Sequence, residues 1–436
     1  MSSSSAWALF WRAYQASGFS ERPSLFQRED YPGLGVSIES VFGATVRMCD
    51  QFRGLPRSGR IMFSNLRFYI DGQRIEDPSQ YLMYSRDGDF VGWHNRLEHI
   101  ASEYCIVFNR LEETFGDEID GIYELLRPLV GELGLPTRKS EVTLFAGRYK
   151  KTPFGIHNDD ELNFFWPLIG PKRVRFWKPE YGRSNPGLAR LLNYDEHLSE
   201  SRVLDAEAGD MLAWPGSWWH IAEGTGQFSV SLTIPLEWYP EREKLDRTQL
   251  LEKLSKLLLR VAAAHSGATL VPVRVKEDTS ETIPEIIPDA ARLFSGMRME
   301  DINDALTEQW LRKITTAGLR ISKGLPTDFV IDESQIIRSA DGGGIRWARL
   351  SRGKMCVASG GHSIILPESS AVVEVIGQLN TAKPLSVHAL IELVSSRCNE
   401  RSPSAVTKFV LTMLAKIGAV EPAGGVDYSD LAARKM

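Results

Sequence analysis

Cysteine is scarce in this chain. Cys49, Cys105, Cys356 and Cys398 are the four in 436 residues, widely scattered and without CxxC spacing. That fits free thiols in a reducing cytosol better than a disulfide framework. Long apolar runs are missing as well. No uninterrupted stretch approaches the ~20 residues that span a bilayer. The start, MSSSSAWALFWRAYQ, has neither a basic opening nor a clean apolar core before a small-residue cleavage site. A cytoplasmic protein is the expectation. Nor is there an excess of positive charge: 51 Lys and Arg stand against 56 Asp and Glu, a formal net charge of −5. This argues against nucleic acid as a general partner. What remains is an ordinary globular composition, 43% hydrophobic and 25% charged, in a chain long enough for two or three domains.

Two stretches organise the chain. Residues 157–172 read HNDDELNFFWPLIGPK and residues 209–220 read GDMLAWPGSWWH. His157 and Asp159 stand at i and i+2, so on a strand they share a face. Two histidines and one carboxylate form the facial triad that holds non-haem Fe(II) with positions left open, and His220 supplies the second imidazole. Taken alone, an HxD pair is more often a polar turn than a ligand pair. Its setting, an apolar strand followed by basic residues, carries the argument further. Asp160 belongs on the opposite face and Glu161 is a competing carboxylate.

Before the motif, 5–16 reads as an amphipathic helix with Trp7, Phe10, Trp11 and Tyr14 on one face. Residues 67–70 read as a strand running into an Asp71-Gly72 turn. Residues 119–133 read as a helix interrupted at Pro128. From 140 the pattern turns to short strands. One spans 141–146 and ends at Gly147. Others span 163–168 and 172–177, and Ile169-Gly170-Pro171 should join these two as a hairpin. Further strands follow at 211–214, 219–221 and 227–234. Many short strands with Gly and Pro turns predict a mainly β core, a double-stranded β-helix of the jelly-roll or cupin kind, with flanking helices.

After Trp238 the character changes. Residues 241–264 carry a leucine stripe, from Leu250 to Val261, that predicts a helix and a homodimer interface. Residues 266–288 read as a linker, and another helix is expected over 299–317. At the end, two short strands around Gly360-Gly361 and three helices resemble an α+β winged helix. The expected domains are therefore catalytic over 1–240 (core 140–238), helical dimerisation or linker over 241–318, and winged-helix-like over 319–436. The last carries a small excess of basic residues, a weak footprint for DNA. A peptide-recognition role or a purely structural one is left open for it.

Lys172, Arg173 and Arg175 alternate with Val174 and Phe176. If Val174 and Phe176 face the barrel interior, so does Lys172. A cation there needs an anion, and the distal carboxylate of a 2-oxo acid such as 2-oxoglutarate is the natural one. Thr143, Thr152 and Asn163 are candidates to add hydrogen bonds to that cosubstrate.

FGIHNDDELNFFWPLIGPKRVRFW followed by AGDMLAWPGSWWHIAE resembles the core of the JmjC and cupin-like 2-oxoglutarate oxygenases. It is similar above all to the branch of asparaginyl hydroxylases and ribosomal oxygenases. The resemblance covers roughly 140–238. It implies iron held by His157, Asp159 and His220, 2-oxoglutarate held through Lys172, and O₂ as the other cosubstrate. Thr152-Pro153 resembles the family's small polar residue before the HxD motif. The order of barrel, helical dimerisation segment and winged helix is also that of the ribosomal oxygenases. The implied function is hydroxylation of an amino-acid side chain in a protein or peptide substrate, by a homodimer. Alternatives are a small-molecule hydroxylase or demethylase on the same scaffold, or a non-catalytic cupin and winged-helix regulatory protein.

Overall fold

A computed structural model of the chain describes residues 3–18, 21–136, 140–237, 298–319, 331–340, 344–381, 383–399 and 401–423. The chain divides into two compact units, Met1–Trp238 with Thr316–Gly324, and Tyr239–Thr315 with Leu325–Met436.

The strands of the first unit are β1 (Ser24–Phe26), β2 (Leu66–Ile70), β3 (Gln73–Ile75), β4 (Tyr104–Phe108), β5 (Thr143–Arg148), β6 (Leu162–Ile169), β7 (Lys172–Trp177), β8 (Ser201–Ala206), β9 (Met211–Trp214), β10 (Trp219–Glu223) and β11 (Phe228–Leu236). They form two sheets, ordered β1-β9-β6-β11-β5-β4-β2-β3 and β10-β7-β8. The helices are α1 (Ser3–Ala16), α2 (Ile38–Gly54), α3 (Arg57–Met62), α4 (Phe90–Leu97), α5 (Asp120–Leu133) and α6 (Pro179–Ser184).

Strand alternation decides what each face does. In β6, Phe164 and Trp166 join Leu232 and Ile234 of β11 in a core completed by the helices, with Trp7, Trp11, Phe52, Trp93 and Leu126. The intervening Phe165 points the other way. It packs with Val174 and Phe176 of β7 and with Leu212 and Trp214 of β9, so the two sheets meet across this second core. The large sheet thus lies between a helical layer and the small sheet, which fits the expected β core with flanking helices.

The aromatic face of α1 forms as its spacing predicts. Trp7 stacks on Trp11 at 5.1 Å, and Trp11 Nε1 donates to Leu125 O at 3.0 Å. Two sequence boundaries differ. α5 runs through Pro128, because Leu125, Leu126 and Leu129 around it are buried and outweigh the one hydrogen bond that proline cannot donate. β5 runs through Gly147, where a Cβ would stand 2.1 Å from Tyr104 O, so glycine lets β5 close on β4.

A third difference matters for the site. β6 and β7 are not a hairpin. β6 pairs with β9 and β11, while β7 pairs with β8 and β10. Both edges of β6 are taken, so Gly170-Pro171 carries the chain from one sheet to the other.

In the second unit, α7 (Met299–Thr315) is followed by β12 (Ile336–Ser339), β13 (Arg346–Leu350), β14 (Lys354–Ser359), β15 (His362–Pro367), α8 (Ser370–Leu379), β16 (Leu385–Ser386), α9 (Val387–Arg397), α10 (Pro403–Lys416) and β17 (Val420–Pro422). The sheets are β13-β14-β15 and β16-β12-β17. Met355, Val357 and Leu366 pack one face of the first sheet on Val375, Leu390 and Val410 of the three helices. Cys356 and Ala358 pack its other face on Leu311 of α7. The two strands and three helices read from the sequence are present. β13 and the two- to four-residue strands β12, β16 and β17 were too short or too irregular to read. The leucine stripe of 241–264 and the linker of 266–288 lie outside the described residues.

Candidate metal centre

His157 lies on no continuous strand. It makes a single antiparallel bridge to β10: its N–H donates to His220 O at 3.1 Å, and His220 N–H returns to His157 O at 2.7 Å. That bridge sets the two imidazoles side by side, ring centres 4.4 Å apart. Asp159 is positioned from elsewhere. Its N–H donates to Gly216 O at 2.9 Å, in the turn before β10. Gly216 is required there, since a Cβ would stand 2.5 Å from Glu161 O and 2.6 Å from Asp159 O.

The three side chains converge. Asp159 Oδ1 is 3.9 Å from His157 Nε2, and Asp159 Oδ2 is 3.5 Å from His220 Nε2. One ligand atom from each lies within 4.8 Å of the others, the one such group among the described residues able to hold a metal ion. The surroundings prepare them for that. His157 Nδ1 pairs with Gly155 O at 3.0 Å and His220 Nδ1 with Trp218 O at 3.1 Å. A carbonyl only accepts, so each Nδ1 carries a proton, and Nε2 is the ring nitrogen left to face a metal ion. Burial pushes His220 down to about 4, and His157 adds to the effect, which keeps the imidazole neutral as ligation requires. Asn163 Nδ2 donates to Asp159 Oδ2 at 3.0 Å and to Glu161 O at 3.1 Å, orienting the carboxylate. Asp160 is exposed and outside the group.

The triad opens on a cavity of about 510 Å³ including its mouth, walled by Phe145, Tyr149, Thr152, Phe154, Phe165, Val174, Trp214, Ala222 and Thr233. Thr152 is 2% exposed, and its Oγ1 is buried without a partner among the described residues. Asn163 is on the wall. Thr143 is not. It is buried at the start of β5, donating to Glu141 Oε1 at 3.3 Å.

Lys172 is 1% exposed. It stands behind the wall, its Nζ donating to Tyr149 Oη at 2.6 Å. Burial pushes it down to about 7, against a smaller upward pull from Cys105. Its neighbours are spoken for on the other face: Arg173 pairs with Asp205 at 2.7 Å and Arg175 with Glu223 at 2.6 Å. Tyr149 was missed in the sequence. It lies between β5 and the His157 segment in a short basic stretch with no period, and nothing local ties it to Lys172.

No protein-family model matches the sequence, and no curated protein matches it. Solved structures match its fold. The Escherichia coli ribosomal oxygenase YcfD, in complex with cobalt and succinic acid, aligns with a TM-score of 0.51 at 13% identity, over 95% of this chain and 98% of that one. A second crystal structure of YcfD gives 0.50 at 14% identity, over 94% and 98%. The chain therefore shares the fold of these ribosomal oxygenase structures.

Proposed function

We propose that this protein is an Fe(II)- and 2-oxoglutarate-dependent oxygenase that hydroxylates an amino-acid side chain of a protein or peptide. The observation that carries the reading is the His157–Asp159–His220 group, two imidazoles and one carboxylate at the head of an apolar cavity. This donor set suits Fe(II) and leaves the opposite coordination positions open. When bound, iron supplies the place where 2-oxoglutarate and O₂ react to give succinate, CO₂ and an oxygen atom for a C–H bond.

The chain's own residues hold and shield. His157 and His220 present Nε2, and their Nδ1 bonds keep the rings from turning. Asn163 keeps Asp159 aimed at them. Lys172 and Tyr149 take the distal carboxylate of 2-oxoglutarate, a buried cation and a hydroxyl for an anion that an apolar cavity otherwise rejects. Thr152 Oγ1 adds a donor from the wall. Phe165, Val174 and Trp214 exclude water around the reacting centre.

A polypeptide substrate is supported by the fold neighbour, a ribosomal oxygenase that binds cobalt and succinic acid. Succinate is what decarboxylation of 2-oxoglutarate leaves. We assign the 319–436 segment to a winged-helix-like domain. The leucine stripe of 241–264 is taken to make a homodimer, and a strictly monomeric mass by light scattering across micromolar concentrations rejects that part. The central test is incubation with Fe(II), 2-oxoglutarate and O₂, following succinate. Candidate polypeptides are then digested and read by mass spectrometry for the gain of one oxygen. Absence of succinate formation in the iron-loaded protein, with and without added polypeptides, rejects the reading.

A further inference from the structure

We propose that the free edge of β13 is a docking site for an extended, acidic polypeptide segment, which joins the second unit's sheet as a fourth strand. This goes beyond the oxygenase reading and does not depend on it. β13 pairs with β14 alone among the described residues, so its other edge presents backbone N–H and C=O groups. Only another backbone offers matching donors and acceptors at the spacing of a strand, about 3.4 Å per residue.

Beside this edge runs a groove of about 830 Å³ including its open side. Trp347, Met355 and Val373 line it, between the sheet and α8, and Arg349 and Glu368 form its rim. Side chains alternate on a strand, so every second side chain of an added strand would drop toward this groove. The charge around the edge sets the partner's sign. Arg346 and Arg349 lie on β13, Arg352 in the turn after it, and Lys354 opens β14. Glu368 answers Arg349 and Asp301 answers Arg352. Arg346 and Lys354 are exposed and have no carboxylate partner among the described residues. An acidic residue across from Arg346 completes a favourable cross-strand pair.

The competing account is that these cations only protect an open edge against aggregation. The test uses the full chain and a fluorescein-labelled, end-blocked octapeptide of alternating Glu and Val, followed by fluorescence anisotropy. A Lys-Val octapeptide and a Glu-Val octapeptide N-methylated at alternate amides are the comparison probes. Saturable binding of the Glu-Val probe is expected, with about tenfold or greater weakening on N-methylation. Arg346→Glu and Val373→Arg should each weaken it comparably, with folding checked by circular dichroism. Arg202→Glu, an exposed position on β8, should not. No saturable binding at millimolar probe, equal binding of the N-methylated peptide, or full binding by both Arg346→Glu and Val373→Arg overturns the proposal. Binding should persist in His157→Ala, so failure here and failure of the oxygenase reading are told apart.

Discussion

Lys172 Nζ donates to Tyr149 Oη at 2.6 Å and lies 3.9 Å from the centre of the same ring. The pair is buried, and among the described residues no carboxylate reaches the ammonium. A phenol hydroxyl and a ring face stabilise a cation less than an anion does, so burial wins and the lysine is pushed down to about 7. On the proposed reading, a dicarboxylate bound at the triad would supply the missing charge.

The first prediction follows from that pair. Lys172→Met should raise the KM for 2-oxoglutarate by about 2–4 kcal/mol of lost binding, the scale of a truncated buried charge pair. Iron binding should be nearly unchanged, because Lys172 touches none of the triad. Arg173→Met and Arg175→Met should change KM little. Above pH 7 the ligand-free lysine loses its proton, so binding then requires proton uptake and KM should climb toward pH 9. Titration calorimetry in buffers of different ionisation enthalpy measures that uptake. An unchanged 2-oxoglutarate dependence in Lys172→Met would mean that another group holds the cosubstrate.

Removing any one ligand should remove the metal. His157→Ala, Asp159→Ala and His220→Ala are expected to bind no stoichiometric iron by elemental analysis and to form no succinate, with circular dichroism unchanged. Asn163→Ala is expected to retain the ligands but lose about 10–100-fold in metal affinity, as for other groups that orient a ligand. Full activity in Asp159→Ala would remove this triad from consideration.

Gly216→Ala should disable the site without touching a ligand. The new Cβ must displace backbone at Asp159 or Glu161, and Asp159 N–H then loses its hold on Gly216 O. Iron titration should show affinity falling by about tenfold or more while the melting temperature drops by only a few degrees. Wild-type affinity in this variant would show that the turn does not place Asp159.

Glu112 offers a pH test of stability remote from the metal. Burial pushes its carboxyl up to about 8, although Oε2 accepts the Val142 N–H at 2.7 Å. The unfolded chain releases this proton near pH 4.5, so between there and pH 8 the native state binds more protons than the unfolded one. Stability contributed by Glu112 is therefore full below 4.5 and lost as pH rises to 8. Glu112→Gln should melt a few degrees higher than wild type at pH 8 and show no such gain at pH 4.5. An equal difference at both pH values would contradict a protonated Glu112.

Period and spacing alone determined a good deal about this chain. Alternation through Lys172, Val174 and Phe176 said which side chains share a face, and the three fall on the inner side of β7. The aromatic spacing of α1 and the run of short strands with Gly and Pro turns were equally local signals. Tertiary structure alone decided the partners. An apolar strand after a turn reads as half a hairpin, yet β6 already pairs on both sides, so β7 crosses to the other sheet. Only the fold brings Tyr149 against Lys172, Asn163 onto Asp159, and Gly216 beneath the Asp159 loop. Each of those contacts joins segments whose closure depends on the whole first unit. A local pattern reports the face a residue takes, whereas the residue across from it depends on which strands have competed successfully for each edge.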